Sequence, residues 1–327
     1  RGWLYRTDRK GHFFPFASGL RSPAGLGISP RDELFFTDNQ GDWMPACALF
    51  FAREGGFYGH PSSLGGHPSF GVNSLKNIVT KDFNQLREMP AIWFPRDKIS
   101  NSPGNPVWDN TKGKFGPFTG QIFIGDQKLS NVFRCDVEWV DNQYQGVCIK
   151  FAAGFDSGPI KMEFDSRGRL WAAQVGRGWS SKGKKRSAIQ YLKWDGKTIP
   201  FEIYTVKITD RGFDIHFTQA INEKDIKASL PTINSWQYEY HGVYGSEQIN
   251  PKNHELTKWE ISDDRKVLSL ELPLERQRVY AINCSKIKSF ENKVILNNEA
   301  FYTVNRLKQD KSKPVSDQGY QTTAKIP

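Results

Sequence analysis

The sequence predicts an all-β protein: β-propeller blades over residues 1–196, an immunoglobulin-like β-sandwich over 197–307, and a flexible tail over 308–327. Three observations carry that prediction. A phrase recurs in the first half, where Glu33-Leu34-Phe35-Phe36-Thr37-Asp38-Asn39-Gln40 returns as Gln121-Ile122-Phe123-Ile124-Gly125-Asp126-Gln127 and, more weakly, as Arg169-Leu170-Trp171-Ala172-Ala173-Gln174. Positions 34, 122 and 170 are 88 and 48 residues apart, about two blade lengths and one. Strand units recurring every ~40–50 residues mark a propeller, because each small sheet buries its faces only against its neighbours. Second, the pattern changes after Gly196 to about seven short alternating strands, as an immunoglobulin-like sandwich has. Third, the composition of 23 Phe, 11 Tyr and 10 Trp against 3 Met suits stacked sheets.

Taken in order, Gly2–Thr7 and His12–Phe16 read as strands around an Asp8–Gly11 turn. Gly25–Ile28 leads through Ser29-Pro30-Arg31-Asp32 into the strand 33–37, with Pro30 fixing φ and Asp32 supplying local hydrogen bonds. Residues 61–118 are rich in Gly, Pro, Ser and Asn but hold Phe70, Trp93, Phe94, Trp108, Phe115 and Phe118. Those aromatics argue for a folded excursion over one propeller face. Further blades are expected at about 119–152 and 154–195. Counting outward from Val140 opposite Gln143 places Cys135 opposite Cys148. Such a pair forms either a disulfide or two buried thiols. Beyond residue 196, Arg211-Gly212-Phe213-Asp214-Ile215-His216-Phe217 alternates as a half-buried strand should.

About four blades of ~45 residues fit before residue 196, fewer than closed enzyme propellers use. A partial propeller is therefore expected, completed by an upstream segment or another chain. The opening on Arg1 in place of Met agrees with upstream residues having been removed.

Several classes are excluded. No run of about 18 apolar residues spans a membrane. The net charge of +10 is scattered, and its one dense cluster, Lys182-Gly183-Lys184-Lys185-Arg186, reads as a solvated turn; no nucleic acid partner is expected. A basic surface also favours acidic polysaccharides. There is no nucleophile elbow, phosphate-binding loop, His-Glu-x-x-His helix or Cys-x-x-Cys-His haem site.

The stretch Ser18-Gly19-Leu20-Arg21-Ser22-Pro23-Ala24-Gly25-Leu26-Gly27-Ile28, continuing through Asp38-Asn39-Gln40-Gly41-Asp42 to Gly55-Gly56-Phe57-Tyr58-Gly59-His60-Pro61, resembles the soluble glucose/sorbosone dehydrogenase-like propellers. The large secreted bacterial branch with a C-terminal immunoglobulin-like domain is the nearest in pattern, through Phe115–Gln121, Asn142–Cys148, Arg177-Gly178-Trp179 and Tyr238–Ser246. The resemblance implies a six-bladed propeller holding pyrroloquinoline quinone (PQQ) beside Ca²⁺, with electrons passing to a cytochrome c. It implies Arg21 as a holder of the quinone's anionic oxygens and places Asn39 and Gln40 in the loop at the cofactor edge; Arg177 is a further candidate contact, with packing of a blade end as its alternative. Asp38 and Asp42 become calcium ligands, since carboxylates are the hard donors calcium takes. The chain departs from the pattern in three places. The family's catalytic histidine falls upstream of Arg1, Ser22 replaces an asparagine, and Lys161 is the one cation where paired arginines belong.

His60, Trp93, Tyr240, His241 and Tyr244 are the candidate substrate contacts, since aromatic faces with polar tips suit pyranose rings. Each candidate has a structural alternative: Arg21 as an ion pair between blades, and the Asp38–Asp42 loop as a turn whose repeat mate is Asp126-Gln127. The leading expectation is a secreted or periplasmic, sugar- or polysaccharide-directed oxidoreductase module. The alternatives are a non-catalytic carbohydrate-binding or scaffold propeller, and a calcium-dependent lyase or hydrolase acting on uronate-rich glycans.

Overall fold

Three sheets meet along their first strands, as successive blades of a propeller do. The computed structural model describes residues 2–66, 80–176, 180–224 and 226–308. A hairpin of β1 (Trp3–Thr7) and β2 (Phe13–Ser18) comes first. The first sheet then runs β3 (Pro23–Ile28), β4 (Leu34–Asp38), β5 (Cys47–Phe51), β6 (Ile92–Phe94). The next begins β7 (Pro103–Trp108), β8 (Ile122–Asp126), β9 (Asn131–Val140), β10 (Gln143–Ala153). The third is β11 (Pro159–Phe164), β12 (Leu170–Val175), β13 (Ser187–Leu192).

The first strands β3, β7 and β11 lie side by side at backbone distance. A Cβ on Gly25 would stand 2.4 Å from Asn105 Cα, and one on Gly104 would stand 2.3 Å from the Ile160 carbonyl oxygen. Only glycine admits that approach. Cross-sheet hydrogen bonds then lock it: Thr37 Oγ1 donates to the Gly104 carbonyl at 2.7 Å, and Met162 N–H to Asn105 Oδ1 at 2.8 Å. Between the first two sheets the filler is aromatic, with Phe35, Phe36, Phe50, Phe94 and Phe133 buried. Each contributes about 1.5–3 kcal/mol by leaving water.

The repeat phrase marks β4, β8 and β12, the second strand of each sheet. The 88-residue interval is thus one blade step and not two, because residues 52–91 are inserted between the third and fourth strands of the first sheet. The expected excursion over 61–118 is corrected accordingly. It contains a short helix, α1 (Thr80–Leu86), but it also supplies β6 and β7 to two sheets. Phe70 lies outside the described residues, as does the tail from residue 309.

The C-terminal strands form two facing layers. One is ordered β14 (Ile203–Ile208), β15 (Gly212–Phe217), β19 (Val267–Glu271), β18 (Lys258–Ile261). The other runs β17 (Gln248–His254), β16 (Thr232–Tyr238), β20 (Arg278–Asn283), β21 (Glu299–Val304). Ile203, Val206, Phe213 and Leu268 of the first pack on Tyr280, Ile282 and Tyr302 of the second. Strand β17 was not expected from its polar sequence. It is an edge strand, where Pro251 and charged residues are tolerated.

The expected boundary near residue 196 is crossed by hydrogen bonds. β21 pairs with β10, so one eight-stranded sheet runs from β17 to β7. Arg134 of β9 reinforces the junction, donating to Gln121 Oε1 at 2.9 Å, the Tyr204 carbonyl at 2.6 Å and Glu202 Oε2 at 3.2 Å. Cys135 does stand opposite Cys148, as two buried free thiols. Burial pushes both thiols up in pKa. No helix among the described residues is long and apolar enough to cross a membrane.

Candidate functional site

Most of the nominated residues converge where the β4–β5 loop meets the β16–β17 loop. Strand β4 ends on Asp38, whose carboxylate is fully buried. It accepts the backbone N–H of Arg21 at 2.8 Å, of Ser22 at 2.7 Å and of Asn39 at 2.8 Å. Burial outweighs those donors and pushes the carboxyl up to about 6. Asp38 therefore fastens the entry of β3 and has no oxygen facing solvent.

Asp42, four residues on, has a side chain 45% exposed. It lies between two cations or donors: Arg21 Nε donates to its Oδ1 at 3.1 Å, and His60 Nε2 lies 2.9 Å from its Oδ2. The His60 bond, then Arg21, holds this carboxyl below its usual range. Arg21 Nη1 also donates to the Gln40 carbonyl at 3.1 Å. A Cβ at Gly41 would stand 2.0 Å from Arg21 Cζ, so the guanidinium occupies space that glycine leaves open. The Ser62 N–H points at His60 Nδ1 at 3.4 Å, with Ser62 Oγ at 2.9 Å. Both ring nitrogens therefore have a partner. His60 is a buried, satisfied linker.

The β16–β17 loop closes over this cluster. Gly245 N–H donates to the Gly41 carbonyl at 3.0 Å, and Trp43 N–H to the His241 carbonyl at 3.2 Å. Tyr244, 57% exposed, places its ring centroid 5.4 Å from the Arg21 guanidinium. His241 Nδ1 accepts from Val243 N–H at 3.1 Å. Asn39 donates through Nδ2 to the Ser22 carbonyl at 2.8 Å, and Gln40 through Nε2 to the Pro45 carbonyl at 3.1 Å. Arg21, Asn39, Gln40, Asp42, His60, His241 and Tyr244 are thus brought together.

Trp93 and Tyr240 lie elsewhere. They line a cavity of about 400 Å³ with Arg87, but at 5% and 6% exposure they are wall and not stacking platform. Tyr240 is packed on Trp43 at 5.3 Å, and its hydroxyl donates to the Gly59 carbonyl. Arg87 was not singled out from the sequence. Its signal is the run Thr80-Lys81-Asp82-Phe83-Asn84-Gln85-Leu86, a short helix whose Phe83 is buried and which Arg87 directly follows, its N–H donating to the Phe83 carbonyl at 3.1 Å. Arg177 lies outside the described residues.

The donor set does not fit calcium. Both Asp38 oxygens are used by backbone donors, and a dication at Asp42 would sit against a guanidinium and a histidine. Among the described residues no group of three or more His, Cys, Asp and Glu can hold a metal ion. Nor do the residues fit PQQ, because Arg21 already carries a carboxylate whose charge would repel those of the quinone.

No protein-family model matches the chain, and no curated protein matches it. Among solved structures, it is similar to an oxidoreductase (glucose dehydrogenase) from Thermus thermophilus. That similarity has 18% identity and a TM-score of 0.38, covering 56% of this chain and 48% of that one. It is also similar to the PQQ-bound form of an aldose sugar dehydrogenase from Streptomyces coelicolor, at 16% identity and a TM-score of 0.39, over 59% and 52% of the two chains. The chain thus spans about half the length of these two proteins. Similarity at such scores says nothing about activity.

Proposed function

We propose that the chain is a carbohydrate-directed module built on blades of the sugar-dehydrogenase-like type, acting by binding. The observation that carries this is the exposed Tyr244 ring on Arg21, beside the solvent-reachable carboxylate of Asp42. An aromatic face with a fixed donor and a fixed acceptor next to it suits a pyranose ring and its vicinal hydroxyls. Calorimetric titration with neutral and acidic oligosaccharides tests it. Saturable binding that Tyr244→Ala abolishes supports the reading, and no heat with any sugar overturns it.

Quinone-dependent sugar oxidation is a second reading, favoured by the sequence resemblance around Arg21 and Gly59-His60-Pro61. It requires cofactor ligands beyond the described residues, and a cytochrome c acceptor enters only with it. Dye reduction on adding PQQ, Ca²⁺ and a sugar would support it. The lyase or hydrolase alternative has less behind it, since Asp42 is flanked by Arg21 and His60 and not by a second carboxylate.

The proposal includes further sheets covering the two ends of the fan. Leu26 and Ile28 of β3 are exposed on the face turned from β7, and Ile189 and Tyr191 of β13 on the third sheet's outer face. Exposed β-branched and aromatic rows on sheet faces are what neighbouring blades cover. The order of strands β14–β21, with four in each layer, supports reading them as an immunoglobulin-like sandwich. A secreted or periplasmic location agrees with a glycan ligand.

A further inference from the structure

The cavity beside Tyr240 is lined by the Arg87 guanidinium, which makes no ion pair among the described residues. Its walls include Lys81, Asn84, Arg87, Trp93, Gln237 and Tyr240. The Arg87 guanidinium lies 4.5 Å from the centre of the Tyr240 ring, and its Nε donates to Asn84 Oδ1 at 2.7 Å. The adjacent Glu88 is taken by Arg53 at 3.8 Å. Glu239 also lines the cavity but, among the described residues, no carboxylate comes within ion-pair distance of Arg87. Residues 67–79, which lead into α1, contain no Asp or Glu that could supply one. A partly buried guanidinium without an anion is costly, and its planar fork is shaped for a carboxylate.

Resting on the carbohydrate reading above, we propose that this cavity receives the acid group of a uronic-acid-bearing glycan, with Arg87 as the carboxylate's partner. Lys81, exposed on the helix that Arg87 follows, adds a second positive charge at the rim. Asn84 and Gln237 offer amides to the ring hydroxyls around that group. Tyr240 and Trp93 are too buried to stack a base or a sugar, so charge and hydrogen bonding set the preference. Tyr240 also joins the two regions, since Arg87 covers one part of its ring and Trp43, next to Asp42, packs against it. A chain of several sugars bound at Tyr244 has this cavity as an adjoining acid subsite.

The test is calorimetry with oligogalacturonate, a neutral oligosaccharide of the same linkage, and a sulfated oligosaccharide, on the whole chain and on Arg87→Gln and Arg87→Lys. Oligogalacturonate is expected to bind at least tenfold tighter than the neutral sugar. Arg87→Gln is expected to erase that preference with the melting temperature unchanged, and Arg87→Lys to retain part of it. Equal binding of acidic and neutral sugars, a preference that survives Arg87→Gln, or a sulfated glycan that outcompetes the uronate would each overturn the assignment while leaving the carbohydrate reading in place. Absence of binding by all three would remove both.

Discussion

The carboxylate of Asp38 accepts the backbone N–H of Ser22 at 2.7 Å, and the same bond recurs one sheet on, where Asp126 accepts from Ser102 at 2.6 Å. In the third sheet Gln174 Oε1 takes the part, accepting from Ser157 at 2.8 Å. Each acceptor lies at or next to the end of its sheet's second strand, opposite a proline: Pro23 with Asp38, Pro103 with Asp126, Pro159 with Gln174. The proline has no N–H to offer the ladder, so residues just before it are tied down by the acceptor instead. The repeat phrase is thus a fastening that sets each first strand against the hub.

Asp38→Ala removes the acceptor of three part-buried N–H groups, of which Asn39 keeps a longer bond to the Ser22 carbonyl at 3.4 Å, and is expected to cost about 1–3 kcal/mol. The sign of its pH dependence is the reverse of an exposed carboxylate's. The folded carboxyl sits at about 6 against an ordinary 3.8, so between those values the folded state holds more protons than the unfolded one. Stability from this group is full at low pH and falls as pH rises through 6. Urea titrations at pH 4.5 and 7.5 are expected to give Asp38→Ala the larger penalty at pH 4.5.

Calcium is expected to leave the melting temperature unchanged, as is EDTA. The acids that the resemblance assigns to a metal are engaged by backbone N–H groups and by Arg21. A calorimetric scan at millimolar Ca²⁺ that raised the transition by several degrees would contradict this, because a ligand bound by the native state stabilises it.

The sheets were legible in the sequence because Ile122-Phe123-Ile124 and Leu34-Phe35-Phe36 are β-rich runs ended by a repeated acid. The facing of Cys135 and Cys148 followed from hairpin register alone. The cluster of Arg21, Asp42, His60 and Tyr244 was nominated as separate residues. Their union depends on a loop about 200 residues downstream, through Gly245 N–H to the Gly41 carbonyl, which no local pattern encodes. The pairing of β10 with β21 across the boundary near 196 was hidden for a similar reason, since it joins segments about 150 residues apart. Arg87 was passed over because a seven-residue helix gives too little periodicity to stand out.

Glu202→Ala is expected to destabilise the chain by about 3–5 kcal/mol, the usual loss when one member of a buried ion pair is removed. Arg134 and Glu202 have side chains only 1% exposed, at the seam between β9 and β14. The double variant Arg134→Met, Glu202→Leu is expected to lose less than the single one, since no charge is left alone. Denaturant melts of the three proteins decide it.

Gly41→Ala tests the sugar site without touching a side chain that would contact sugar. The new methyl would stand 2.0 Å from Arg21 Cζ, and the guanidinium must swing away from it. Arg21 then loses Asp42, the Gln40 carbonyl and its place under Tyr244 together. Oligosaccharide affinity is expected to fall at least tenfold, while crowding costs stability about 1–3 kcal/mol. The pH profile gives an independent reading. Asp42 titrates below its usual range because His60 and Arg21 hold its charge, so its contribution is complete above about 4 and fades as pH falls further. Binding by the parent chain is expected to persist from neutral pH down to about 4 and to weaken below it, and Gly41→Ala to flatten that profile.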